Sequence, residues 1–163
     1  MIESKGIIIF VAGEGGHFVQ FKRLYIRLKD NFADREVIVL TDSIFDEKFC
    51  ADNEIRVIKL GALRPKSGFS LWFALKHFLR VLSLFTKFHD RDISLLSTGP
   101  GIAIFPSILT RLYGGRIVHI ETWSRFNSAS MTGRAMHMIA NRFYVQNKSL
   151  QCVYRKSIYS GRL

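Results

Sequence analysis

Cysteine, proline and, over most of the chain, acidic residues are scarce. The 163 residues hold two cysteines, Cys50 and Cys152, far apart and outside any C-x-x-C or Cys/His cluster. That spacing excludes a disulfide framework and a zinc site, and it suits a reducing compartment. Three prolines and the lack of a Gly/Ser/Pro-rich tract leave no linker to divide the chain, so one domain over residues 1–163 is expected. The first apolar run, Ile7 to Val11, is broken at once by glycines and Glu14, which is no pattern for a signal peptide. Apolar residues make up 48% of the chain and aromatic ones 13%, enough for a core and against disorder.

The shortage of acids is local. Residues 1–59 carry nine Lys/Arg against ten Asp/Glu, a net of −1, whereas residues 60–163 carry fifteen against three, a net of +12. A basic surface confined to the later part of the chain calls for an anionic partner: lipid headgroups, a diphosphate, an acidic protein or nucleic acid. Nucleic acid is the weakest of these and is not expected as a partner. No helix-turn-helix, zinc finger or RNP-type aromatic motif accompanies the charge.

Short β-branched runs alternate with longer helical patterns. Strands are predicted at 6–12, 36–41, 55–60, 93–98, 116–121 and 142–146, and helices at 17–30, 70–89, 101–113 and 130–140. This rhythm predicts an α/β fold, a Rossmann-like, mostly parallel sheet with helices on both faces. Runs such as Ile7–Val11 and Ile117–Ile120 suit strands covered on both sides. In such sheets ligands bind beyond the carboxyl ends of the strands, so the loops there are where chemistry is sought.

Three of these loops stand out. Gly13-Glu14-Gly15-Gly16-His17 follows the first strand and opens a helix, where glycines let the backbone approach a ligand and the helix dipole favours an anion. A plain glycine turn is the competing reading. The spacing is not the dinucleotide G-x-G-x-x-G, since Phe18 stands at the last glycine's place, which disfavours a nicotinamide or flavin enzyme. His17 lies where the dipole favours a neutral imidazole able to accept a proton; a capping or packing histidine is the alternative. The second loop, Ser97-Thr98-Gly99-Pro100-Gly101, could face the first across a diphosphate-sized cleft or be turn chemistry, and Pro106 predicts a kink or late start in the helix after it. In the third, Glu121-Thr122-Trp123-Ser124-Arg125, Glu121 is one of three acids after residue 59. Arg125 offers a fork for phosphate and Trp123 a plate for a sugar ring.

Residues 69–88, FSLWFALKHFLRVLSLFTKF, are apolar enough to suggest a membrane span. Lys76, Arg80, Ser83 and Lys87, however, recur at steps of four, three and four, collecting on one stripe opposite Trp72, Phe73, Leu75, Phe78, Leu79, Leu82 and Phe85. Each mid-span charge costs about 2.5–3.5 kcal/mol on insertion scales, so lying in the interface is favoured over spanning. Trp72, Phe73, Lys76, Arg80 and Lys87 are the expected membrane contacts, with Arg64-Pro65-Lys66 adding cations at the entry. A core helix whose excess is covered by a partner subunit is the alternative.

Together GEGGH, STGPG and IETWSRFNSASMTGRAMHMIANRFYVQNKSL leading to SIYSGRL resemble the bacterial PssD-type polysaccharide proteins and the asparagine-linked glycosylation 14 family. Both are similar to the N-terminal half of the peptidoglycan enzyme MurG. The resemblance implies the acceptor-side half of a GT-B glycosyltransferase split over two chains, with a small PssE-type partner binding the UDP-sugar. It implies an acceptor made of a saccharide on polyprenyl diphosphate, an anionic membrane surface, and a place on the cytoplasmic face of the plasma membrane. It places Gly13, Gly15, Gly16 and His17 toward the acceptor diphosphate, joined by Thr98, Gly99 and Gly101 and by Glu121 with Thr122 and Arg125. Two departures stand out: Glu14 replaces a serine of eukaryotic members, and their N-terminal membrane anchor has no counterpart here, which leaves attachment to the 69–88 helix.

The chemistry implied is inverting sugar transfer in polysaccharide synthesis, with no cofactor and no metal. A base must take the proton of the attacking hydroxyl; His17 is favoured and Glu121 competes. The other class of reading is a non-catalytic membrane adaptor that recruits and activates a catalytic partner. A lone nucleotide-binding domain is a third.

Overall fold

The computed structural model describes residues 6–32, 34–42, 46–61, 71–88 and 90–163. Among these residues seven strands form one sheet in the order β3-β2-β1-β4-β5-β6-β7: β1 (Ile7–Val11), β2 (Glu36–Thr41), β3 (Arg56–Lys59), β4 (Ile93–Ser97), β5 (Arg116–Ile120), β6 (Arg142–Val145) and β7 (Ile158–Tyr159). All pairings are parallel, with Ile7 opposite Glu36 on one side and Ile93 on the other. The helices are α1 (Gly16–Leu28), α2 (Glu47–Asp52), α3 (Leu71–Phe85), α4 (Ile104–Leu112) and α5 (Met131–Ile139). The Rossmann-like parallel sheet expected from the sequence is what forms.

Alternation along β1 sorts the core into two layers. Ile7, Ile9 and Val11 face α3, α4 and α5 through Val81, Phe85, Leu109 and Met136. Ile8 and Phe10 face α1 and α2 through Phe21, Leu24, Tyr25 and Cys50. Phe10 meets Phe21 edge-on with ring centroids 5.0 Å apart, a geometry that adds to simple burial. Because both faces of β1 are covered, its apolar run is continuous rather than alternating.

Two details go beyond the sequence pattern. Helix α2 is too short for periodicity to reveal; it is started by Asp46, whose side chain accepts from the Phe49 backbone N–H at 3.0 Å. The 101–113 segment divides into a 3-10 turn, Gly101–Ala103, and then α4, with Pro106 in the first turn of α4. There its missing N–H costs nothing, so the late start is realised. Strand β1 sits between β2 and β4, and the chain leaves β1 and β4 toward opposite faces. That reversal opens a crevice at the carboxyl ends, beside both glycine loops.

Candidate functional site

The crevice is built by backbone as much as by side chains. His17 stands in the first turn of α1, and its Nδ1 lies 2.5 Å from the Thr98 carbonyl oxygen, while the Thr98 hydroxyl donates to the His17 carbonyl at 3.1 Å. These reciprocal bonds join the loop after β1 to the loop after β4. A carbonyl can only accept, so Nδ1 carries the proton and a neutral His17 keeps its lone pair on Nε2. Nε2 makes no hydrogen bond among the described residues, and the side chain is half-buried.

Glycines make that approach possible. At Gly99, φ is +105°, and a Cβ would stand 3.0 Å from His17 Cε1. Only glycine meets both demands. A Cβ at Gly13 would stand 3.1 Å from Pro100 Cβ and 3.7 Å from His17 Cδ2, and one at Gly16 3.5 Å from Trp123 Nε1. All three loops therefore converge around His17. Gly15, with φ +65°, is exposed at the mouth, and a Cβ there would meet no atom of the described residues within 4 Å. Gly101 turns instead toward α5, where Thr132 Oγ1 lies 3.7 Å from the corresponding point. Thr122 follows β5 with its backbone N–H beside Gly99. Arg125 is exposed, and among the described residues its guanidinium donates to Ser128 Oγ alone, at 3.4 Å, while its backbone N–H donates to the Thr122 carbonyl at 3.2 Å.

Glu121 occupies a different environment from the one its loop position suggests. It is fully buried, and its carboxyl oxygens accept from the Tyr154 hydroxyl at 2.5 Å, the Ser130 hydroxyl at 3.0 and 3.2 Å, and the Thr122 N–H at 3.1 Å. Ser130 also caps α5, accepting from the Gly133 N–H at 2.7 Å. A Cβ on Gly133 would fall 1.9 Å from Glu121 Oε2, so the knot tolerates no side chain there. Burial and the Glu121 hydrogen bond push the Tyr154 phenol up to about 12. Glu121 thus ties the end of β5 to the start of α5.

Three polar groups escaped the sequence pattern. Asp42 follows β2, with Oδ1 3.5 Å from the point a Gly13 Cβ would occupy. Burial raises its pKa above the ordinary carboxyl value, opposed by its own backbone N–H and by His17 and His77 nearby, while Glu14 adds to the rise. Gln20 is fully buried one turn beyond His17. With its amide turned to match donors and acceptors, it donates to the Thr98 carbonyl at 3.3 Å and accepts from the Trp123 N–H at 3.0 Å. Asn147 holds the third loop by donating to the Trp123 carbonyl at 3.0 Å and to the Arg125 carbonyl. A polar residue on the buried side of α1 was the one available sign of Gln20. The sequence also contains one Asp-x-Asp spacing, Asp90-Arg91-Asp92. It precedes β4, at the amino ends of the strands and so at the opposite end of the sheet from the glycine loops, where Asp92 pairs with Arg35 at 2.8 Å.

On the outer side, α3 plays two parts. Ala74, His77, Val81 and Phe85 are buried against the sheet, while Trp72, Phe73, Leu75 and Leu79 are 66%, 45%, 46% and 54% exposed. Of the apolar face drawn from periodicity, Phe78, Leu82 and Phe85 pack inward. Lys76, Arg80 and Lys87 are exposed, and the basic stripe is flanked by Trp72 and Phe73 rather than opposed to them. The reason is that the helix's apolar arc is wider than the sheet can cover. Among the described residues no helix is long and apolar enough to cross a membrane. Phe69, Ser70 and Arg64-Pro65-Lys66 lie outside the described residues.

The family model described as "Oligosaccharide biosynthesis protein Alg14 like" matches residues 8–163. The chain belongs to that family. Proteins of Homo sapiens and Mus musculus described as UDP-N-acetylglucosamine transferase subunit ALG14 are 26% and 24% identical to it, across 99% and 96% of this chain and 84% and 82% of their own. Among solved structures, Acinetobacter baumannii MurG superposes with a TM-score of 0.65 at 16% identity, covering 98% of this chain and 44% of MurG. A UDP-N-acetylglucosamine 2-epimerase does so with 0.65 at 14% identity, covering 91% and 44%. The chain therefore shares its Rossmann-like fold with part of MurG and of the epimerase, and it spans less than half of either structure. Since one of the two is an epimerase, the shared fold does not choose the reaction.

Proposed function

We propose that this Alg14-like chain is the acceptor-binding, membrane-docked subunit of a two-chain inverting glycosyltransferase. Its partner, a small donor-side protein of PssE type, holds a UDP-sugar, with UDP-N-acetylglucosamine the first candidate from the relatives' descriptions. The acceptor is a saccharide on polyprenyl diphosphate at the cytoplasmic face of the plasma membrane, in exopolysaccharide or capsule synthesis. One observation carries the reading: Thr98 holds the His17 ring with Nδ1 protonated, which leaves Nε2 free at the point where three loops meet.

In this reaction the acceptor hydroxyl oxygen attacks the anomeric carbon, the bond from that carbon to UDP breaks, UDP leaves with its electron pair, and His17 Nε2 takes the hydroxyl proton. Gly13, Gly15, Gly16, Thr98, Gly99, Gly101 and the Thr122 backbone admit the acceptor's polar head close to the main chain. Glu121 takes no part in the proton transfer and instead holds the junction of β5 and α5, because both of its oxygens are already engaged away from solvent. Trp72, Phe73, Lys76, Arg80 and Lys87 meet the lipid surface.

The exposed apolar face of α3 also suits a membrane adaptor whose partner performs all the chemistry. The test is His17→Ala in complex with the donor-side partner, assayed with UDP-N-acetylglucosamine and a lipid-linked acceptor. Loss of transfer with membrane binding kept supports a shared active site; normal transfer leaves only the adaptor role.

A further inference from the structure

Away from His17, one cavity joins cations to a buried imidazole whose ring nitrogens have no well-formed hydrogen bond among the described residues. About 410 Å³ opens between the carboxyl end of β3 and the first turns of α3, lined by Leu60, Gly61, Phe73, Lys76, His77 and Arg80. His77 is 4% exposed, and among the described residues neither ring nitrogen makes a well-formed hydrogen bond, the Gly61 and Ile102 backbone lying close enough to act on the ring. A buried imidazole with no partner is costly unless a ligand completes it. Among the described residues Arg80 donates to the Leu60 carbonyl alone, at 3.1 Å, and the rest of its five-donor fork has no partner among them. Lys76 is exposed one turn earlier, and residues 55–89 contain no acid, so among the described residues the cations there face a single nearby carboxyl, Asp42, which acts on His77 from the end of β2.

The mouth of the first glycine loop is opposite in sign. Glu14 is exposed there, and Asp42 sits against Gly13. Two carboxyl groups repel a diphosphate but suit sugar hydroxyls, which need acceptors. The two places are adjacent: the Leu60 N–H donates to the Thr41 carbonyl at 2.8 Å, so Asp42 and Gly61 leave the sheet side by side. Trp72 and Phe73, exposed beside the cations, offer an apolar path outward.

We propose that this cavity binds the phosphate group of a lipid-linked anion, with Lys76 and Arg80 supplying charge, His77 an N–H, and Trp72 and Phe73 bordering the hydrocarbon chain. The phosphate could come from the acceptor's diphosphate or from a membrane headgroup. In the first case the acceptor's sugar lies at Asp42 and His17 while its diphosphate sits at α3 rather than in the first glycine loop. The site deepens the acceptor-binding, membrane-docked reading and rests on it.

The first experiment titrates inorganic pyrophosphate into the full-length chain carrying 15N-labelled histidine. A saturable shift of the His77 ring signals, weakened at least tenfold by Lys76→Gln, is expected. No shift, or one confined to His17, overturns the site. The second examines Lys76→Gln in complex with the donor-side partner, on detergent-solubilised lipid-linked acceptor and on phosphatidylcholine vesicles containing phosphatidylglycerol. A KM for acceptor raised tenfold or more, with kcat within twofold and flotation kept, assigns the acceptor's diphosphate. Lost flotation with KM unchanged assigns the headgroup, and no change in either overturns the proposal. If the wild-type complex transfers no sugar, the functional reading fails, while titration and flotation still decide the site.

Discussion

The loops after β1 and β5 each end a buried strand and each present a group able to take a proton, yet their surroundings differ. His17 is held by one backbone carbonyl and leaves a nitrogen open to the crevice. Glu121 has no exposure, and two hydroxyls and an N–H point at it. A ligand can use the first group without dismantling anything. It can reach the second only by breaking the junction between β5 and α5. Position at a strand's carboxyl end therefore nominates a residue; unspent hydrogen-bonding capacity distinguishes a reacting group from a structural one.

Substitutions sharpen the contrast. His17→Ala is expected to lower kcat by roughly 10²–10⁴, the usual worth of a positioned base, with little change in Tm by scanning calorimetry. Glu121→Ala should do the reverse. It strands the buried Tyr154 and Ser130 hydroxyls, costing about 3 kcal/mol or more, which for a chain of this size lowers Tm by about 6–12 °C. Turnover per folded complex should stay near the wild-type value; a kcat loss matching that of His17→Ala would erase the distinction. Gly133→Ala, whose Cβ would collide with Glu121 Oε2 and the Tyr154 hydroxyl, should give a similar loss of Tm. Gly99→Ala, strained by its φ of +105° and pressed on His17, should reduce kcat more than Tm.

The smallest effect concerns acid. His119 on β5 is fully buried beside Phe143, with ring centroids 4.9 Å apart, and burial, aided by His17, lowers its pKa from 6.5 to about 3. Between those values the unfolded chain binds a proton that the folded one refuses, so stability is retained above pH 6.5 and falls as the pH drops toward 3. Urea unfolding from pH 7 to 5 should show this decline, and His119→Leu should flatten it.

Much of this architecture was legible in the sequence, because strands covered on both faces write continuous apolar runs and their loops follow at once. Gly13, His17 and Gly99 were legible for the same reason, as local signals at strand ends. Glu121's confinement was not, since it depends on Tyr154, thirty-three residues later, and on the hydroxyl of Ser130. Asp42 carried no glycine to mark its loop, and Gln20 matters through partners on two other loops. For α3 the periodicity was right, but a pattern of apolar residues does not tell which half of a wide arc the sheet will cover.

The bond between His17 and Thr98 also constrains how the crevice resets. Its partner is a main-chain oxygen, which cannot store or pass on a hydrogen ion, so no relay leads from the imidazole into the protein. Any hydrogen ion gained at Nε2 has to depart through Nε2. In the proposed reaction each cycle would then include an interval in which that atom meets water or departing product.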